Sequence, residues 1–388
     1  MKDLLKFGFW ILFFFAIVSC ENTKRKKETI SNQTEKTKIN VGVFNGNGAS
    51  PVCILETMEA LKVDTGIAPV EVSAFDIMNG KLNDLDALVF PGGSGSKEFN
   101  NMGQLAAEKI KEFGQKKGKG LVGICAGGYL LSTTPTYPSL EILGAPDTRD
   151  YYDRGRGLIS FHLNNKGKEI FYELKNTDSL FIQYYDGPMF EDPGKYGLNV
   201  LGNIYSDIAT HKGYPHGFTP GKPAFFTKEY GQGKVFVSVG HPEATAGMRW
   251  IVPRMARWVT GNELISYSND LIRPEINNKE ILFYKDTKKK ESTLFWQLFD
   301  KDPSVVTNAV DSLHALRSRP SIRWSIGLLR HKDPKIRLKA ADYIVESEYT
   351  AAIPDLQAAV DVEKDSEVKQ KLDKKLGKLK GFVGKQQL

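Results

Sequence analysis

The sequence predicts an α/β protein, a parallel sheet with helices on both faces, followed by an all-α helical-repeat module. Three observations lead there. Strand-like apolar runs alternate with helical spacing from residue 39 to about 124, the order that builds parallel sheets. Three of the strands stop at glycine-rich loops, 45–48, 92–95 and 127–128, on the edge where such sheets carry their sites. Beyond about 290 the texture becomes amphipathic helix. Asp302-Pro303, Asp333-Pro334 and Asp365-Ser366 start helices spaced 31 and 32 residues apart, each Asp suited to cap a helix and Pro to its first turn.

The elements run in order along the chain. Ile39 to Phe44 reads as a strand and 45–50 as a loop; Val52 to Val63 is a helix on the spacing of Ile54, Leu55, Met58 and Leu61. Val70 to Ala74 is a short strand, Ala87 to Phe90 a buried one that stops at Pro91-Gly92-Gly93, Gln104 to Phe113 a helix and Leu121 to Ile124 a fourth strand. From about 140 to 240 short strands, aromatics and turns dominate, and Lys222 to Gly240 predicts a hairpin around Gly231-Gln232-Gly233. Thr245 to Val259 closes the domain as a helix. The expected boundaries are 39–262 for the α/β domain, 263–290 for a linker holding Lys288–Lys290, and 291–388 for the repeats. The repeats resemble HEAT-type repeats, Ala351-Ala352-Ile353-Pro354-Asp355-Leu356 being typical of their first helix, and such stacks usually present a face to a protein partner.

The N-terminus reads as an address. Lys2 and Lys6 precede an apolar run, Phe7 to Val18, too short for an ordinary membrane span. Ile17-Val18-Ser19-Cys20 resembles the bacterial lipobox, which implies a signal peptide over 1–19 and a lipidated Cys20. Residues 20–38 then form a polar tether. The expectation is a protein anchored to a lipid bilayer of the bacterial envelope, facing the periplasm. Its thiols at Cys53 and Cys125 would meet an oxidising compartment, so each is buried or used.

Composition excludes other classes. Of 388 residues, 41% are hydrophobic and 26% charged, which rules out wholesale disorder, and three cysteines make no disulfide scaffold. The net charge of +7 is not in the catalytic candidate: residues 39–262 carry −1, the tail 291–388 carries +3, and Lys24-Arg25-Lys26-Lys27 follows Cys20. Nucleic acid is therefore not an expected partner, whereas anionic headgroups suit the basic patch.

Two segments carry chemistry. In Gly123-Ile124-Cys125-Ala126-Gly127-Gly128 a strand runs into a small-residue turn and then a helix, the geometry of a nucleophile elbow. A cysteine there projects from a strand end at a helix N-terminus, which favours thiolate, and the amide of Ala126 faces a developing oxyanion. Gly240-His241-Pro242-Glu243 stands at another strand end. His241 suits the base that takes and returns the thiol proton, and Glu243 the carboxylate that fixes its tautomer.

Together these segments resemble the class I glutamine amidotransferase-like superfamily, whose fold is flavodoxin-like and whose triad is an elbow cysteine with a later His-x-Glu. The closer resemblance is to the biotin-protein ligase N-terminal domain, on Cys125-Ala126-Gly127-Gly128-Tyr129 and Tyr184-Tyr185-Asp186-Gly187-Pro188. It covers about 39–262 and implies a Cys125–His241–Glu243 triad, oxyanion amides from Ala126 and Gly93, and a pocket with Gly46, Tyr129 and Tyr185. Tyr129 stands where glutaminases of the superfamily carry glutamine, so glutamine is not the expected substrate. A cysteine hydrolase acting on a small-molecule or peptide amide through a thioester is the expected function. A catalytically inactive ligand-binding or assembly protein of the same fold is the alternative. No cofactor is expected, and His162, His211 and His216 lack metal-ligand spacing. Cys53 reads as core-facing, and Arg154 and Arg156 as residues of a solvated loop.

Overall fold

The computed structural model describes residues 38–148, 155–208 and 217–384. The signal peptide, Cys20, the tether up to residue 37, Arg154, His211 and His216 lie outside the described residues. The α/β domain begins with β1 (Ile39–Phe44), α1 (Pro51–Leu61), β2 (Ile67–Val72), the short α2 (Ala74–Met78), β3 (Ala87–Phe90), α3 (Gly95–Gly114), β4 (Gly120–Ile124) and α4 (Ala126–Leu131). It continues with β5 (Arg156–Leu163), α5 (Asn165–Ile170), β6 (Leu180–Tyr185), β7 (Asn199–Ile204), β8 (Pro223–Tyr230), β9 (Gly233–Ser238) and α6 (Ile251–Thr260).

Strands β2, β1, β3, β4 and β9 lie side by side and parallel in that order, the 2-1-3-4-5 pattern of flavodoxin-like sheets. Every residue of β3 and β4 is buried, as a strand covered on both faces requires. The later strands extend the sheet in antiparallel fashion, β9 to β8, β8 to β7, β7 to β5 and β5 to β6. The expected hairpin is β8–β9, closing at Tyr230 and Gly233. Strand β2 starts earlier than its apolar run suggests, because Ile67 pairs with Ile39 at the head of β1. In α3, Gly103 (φ 77, ψ 159) breaks the helix just before the predicted Gln104 start.

The tail is helical throughout: α7 (Lys285–Gln297), α8 (Pro303–Ala315), α9 (Arg319–Leu328), α10 (Pro334–Glu346), α11 (Ile353–Val362) and α12 (Ser366–Lys380). Asp302, Asp333 and Asp365 each cap their helix by accepting from a backbone N–H, as the repeat spacing predicts. The linker is shorter than expected. Within 263–290, Tyr267, Leu271 and Phe283 are buried, the two-residue β10 (Ile281–Leu282) pairs with β5, and α7 already begins at Lys285.

The repeats are fastened to the α/β domain by buried polar pairs. Arg249 donates to the Glu348 carbonyl (2.6 Å) and to Thr350 Oγ1 (2.9 Å), Arg273 pairs with Glu348, and Arg156 pairs with Glu291. Arg156, expected in a solvated loop, therefore lies in β5 and is committed to the repeats. Among the described residues no helix is long and apolar enough to cross a membrane.

Candidate active site

The site starts at the end of β4. Cys125 has φ 50 and ψ −106, a conformation that costs an L-residue free energy and persists only where the surroundings hold it. They do so here. The Cys125 amide donates to the Ser238 carbonyl of β9 (2.9 Å), and its carbonyl accepts from the Gly128 amide (2.8 Å). Gly127 lets the turn close, since a Cβ there would sit 2.2 Å from the Phe90 carbonyl oxygen. Gly93 plays the same part in the neighbouring loop. Its φ is 155, and a Cβ would sit 2.3 Å from the Gly48 carbonyl oxygen.

The second segment leaves β9. The His241 amide donates to the Gln183 carbonyl (2.7 Å), and its own carbonyl accepts from Thr245 Oγ1 (2.7 Å), which fixes the backbone. His241 Nδ1 lies 2.7 Å from Glu243 Oε1, and both residues are buried. With Nδ1–H donated to the carboxylate, Nε2 is left as a base. Burial alone would raise the Glu243 carboxyl, but the His241 ring and the Arg319 guanidinium outweigh it and hold the group below the ordinary carboxylate range.

Cys125 and His241 open onto one cleft of about 1090 Å³, with Gly93, Ser50, Cys53 and Tyr185 on the same side. The Cys125 thiol donates to the Tyr185 carbonyl (3.4 Å); among the described residues it has no hydrogen bond to His241. The helix N-terminus was expected to favour thiolate. In this arrangement burial outweighs it and pushes the thiol up, helped by the neighbouring Cys53 and Glu243 and offset only in part by Arg319.

Other expectations need correction. Gly46 and Tyr129 do not line the cleft. The loop at Gly46 folds back on the Phe44 ring, where a Cβ would meet ring carbons at 2.6 Å. Tyr129 is a strut, its hydroxyl donating to the Asp186 carbonyl (3.1 Å) beneath the Tyr185 turn. Ala126 is the buried first residue of α4, and Tyr185, half exposed, lies on the cleft wall. Cys53, read as core-facing, is buried but belongs to the site: Arg319 Nη2 lies 3.4 Å from its sulfur.

Arg319 was not anticipated. It is the first residue of α9, in the repeats, yet its guanidinium reaches Glu56 of α1, Cys53 Sγ and Glu243 Oε1 (3.4 Å). A cation at the first turn opposes the helix dipole, and that local mismatch is the one signal the sequence carries for it. The repeats also supply the far wall of the cleft, with Phe299, Arg323, Trp324 and His331. Cys53, His241 and Glu243 offer ligand atoms within 4.8 Å of one another. The Arg319 guanidinium, in contact with two of the three, sets a fixed positive charge at the same place, so the set does not suit a metal cation.

The model of the biotin-protein ligase N-terminal family matches residues 39–256, more than half of the chain. The chain belongs to this family. Residues 286–374 match HEAT repeats. A biotin–protein ligase of Schizosaccharomyces pombe is 33% identical over 96 residues, which are 24% of this chain and only 15% of that protein. Among solved structures, a ThuA-like protein of Parabacteroides merdae aligns at 13% identity and TM-score 0.43, over 60% of this chain and 94% of that one. The CTPS glutaminase domain of Trypanosoma brucei, solved with bound acivicin, aligns at 9% identity and TM-score 0.40, over 59% and 96%. Likenesses this distant say nothing of activity.

Proposed function

We propose that the family domain of this protein is a cysteine amidohydrolase, lipid-anchored in the bacterial envelope. The observation that carries the reading is the forced backbone of Cys125, which sets a thiol at a strand end in the cleft it shares with the hydrogen-bonded His241–Glu243 pair. In the reaction His241 Nε2 takes the thiol proton as Sγ attacks the amide carbonyl carbon. The amides of Ala126 and Gly93 receive the oxyanion. Collapse breaks the C–N bond, the amine leaves with the proton from His241, and water then cleaves the thioester with His241 as base. Burial keeps the resting thiol protonated, so its proton leaves only as attack begins.

Cys20 carries the lipid, and the basic run 24–27 lies against anionic headgroups. The repeats recognise a protein partner, for which the exposed Trp296, Phe299 and Trp324 offer an aromatic surface. The activity named for the Schizosaccharomyces pombe protein is not carried over, since the match spans 15% of it.

A panel of small and peptide p-nitroanilides tests the chemistry. The expected result is amine release with a transient acyl mass on Cys125, both absent in Cys125→Ala and about 10²–10⁴-fold slower in His241→Ala. A second reading, a ligand-binding domain with an idle thiol, is favoured by the Cys125 hydrogen bond to Tyr185 rather than to His241. That reading expects no acyl mass and equal, slow thiol reactivity in both proteins. Separately, Cys20→Ser is expected to release the protein from membranes; a variant that stays bound would mean a different anchor.

A further inference from the structure

Glu243 is a buried carboxylate, and part of what keeps it charged comes from outside its own segment: beside His241, the Arg319 guanidinium holds it below the ordinary carboxylate range. His241 Nδ1, 2.7 Å from Oε1, is its partner on the same segment. The other groups that face it come from several elements. Cys53 and Glu56 stand on α1, Cys125 at the elbow, Arg249 just before α6, and Glu59, Glu348 and Tyr349 around a small cavity behind it. Arg249 is already committed to the Glu348 carbonyl and Thr350. Those partners are neutral, so Arg249 acts on Glu243 only through its field; among the described residues the cation in contact with the carboxylate is Arg319, whose Nη2 is 3.4 Å from Glu243 Oε1, with the same guanidinium held by Glu56 through Nε at 3.0 Å. An isolated buried carboxylate protonates rather than stay ionised.

We propose that Arg319 is a positioning residue for the triad: it keeps Glu243 ionised, so that Glu243 holds the His241 ring in the tautomer whose Nε2 can accept the Cys125 proton. This rests on reading Cys125 as the nucleophile. The consequence of losing it is specific. Without the guanidinium, Glu243 takes a proton from solvent on Oε1 and donates it to Nδ1. The neutral ring must then carry its hydrogen on Nε2 and is no longer a base for the thiol. The helical repeats are on this account part of the catalytic architecture, because α9 delivers the charge from 76 residues beyond Glu243. Glu56 competes for the same guanidinium and so tunes how much of it Glu243 receives.

The test is the rate of Cys125 alkylation by iodoacetamide in the full chain, resolved from Cys53 by peptide mass spectrometry, from about pH 5 to 9. Arg319→Gln is expected to move the acid limb upward, with rates about tenfold below wild type near pH 6 and converging at the alkaline end. Arg319→Lys returns the limb toward its wild-type place. A profile for Arg319→Gln that superimposes on wild type would overturn the proposal. So would a uniform loss at every pH that Lys does not mend, which is a merely structural effect. If Arg319→Gln does not fold, Arg319→Ala takes its place in the same comparison, with Arg319→Lys as its partner. His241→Ala in the same series separates the two readings: if it leaves Cys125 alkylation unchanged, the nucleophile reading fails. If it slows alkylation while the Arg319 variants do nothing, only the positioning proposal fails.

Discussion

The two walls of the cleft are built by different means. The elbow wall is local: β4, a turn that only glycine allows at 127, a cysteine with φ 50, and a His-Pro-Glu segment three residues past β9. Each part is set by its sequence neighbours and by adjacent parallel strands. The repeat wall is assembled from afar. Phe299, Arg319, Trp324 and His331 belong to a helical stack with its own caps and period, and they reach the site only because buried ion pairs fasten that stack to the sheet. The chemistry is thus encoded within short motifs, whereas the electrostatic setting and the shape of the cleft are tertiary. A family domain without such a stack would need another source for the charge beside Glu243.

Substitutions can break or sharpen this contrast, the largest effects falling on the elbow wall. His241→Ala is expected to slow Cys125 chemistry by about 10²–10⁴-fold and also to lower the melting temperature, since it leaves the buried Glu243 carboxylate without its hydrogen-bond partner. Gly127→Ala forces a methyl onto the Phe90 carbonyl and is expected to destabilise by about 3 kcal/mol, read by denaturant unfolding.

Glu98, in the first turns of α3, is buried with neither carboxyl oxygen partnered among the described residues, and burial holds it well above the ordinary carboxylate range. The unfolded chain ionises this group near pH 4.3, roughly, while the folded chain does not. Its contribution to stability therefore falls as pH rises above that value. Glu98→Met should gain more at neutral pH than below about pH 4, by roughly 1–3 kcal/mol, because below that value only the unpartnered neutral carboxyl is relieved. An equal gain at both would contradict the assignment. Smallest, and on the repeat wall, Asp333→Ala removes the cap of α10 and costs about 1 kcal/mol in thermal unfolding, with Cys125 alkylation unchanged.

The fold was largely legible because its signals are short-range. Buried strands such as β3 and β4 read as apolar runs, and the Asp caps at 302, 333 and 365 announced the repeat. The elbow and the His241–Glu243 pair were legible for the same reason. Cys53 was not, since Ile54, Met58 and Leu61 around it give only a core-facing helix. Its site partner Arg319 is 266 residues away. Resemblance puts Tyr129 and Gly46 in the pocket, but the Tyr129 hydroxyl donates to the Asp186 carbonyl and the Gly46 loop folds onto Phe44. Side-chain direction within a recognisable motif is decided by packing that local sequence does not contain.

The most direct test of the central claim is the Cys125 alkylation rate of the full chain at neutral pH, wild type against His241→Ala. The account predicts a wild-type thiol that reacts at least about tenfold faster, since His241 lends it a base that burial otherwise denies. Equal, slow rates in the two proteins would contradict it.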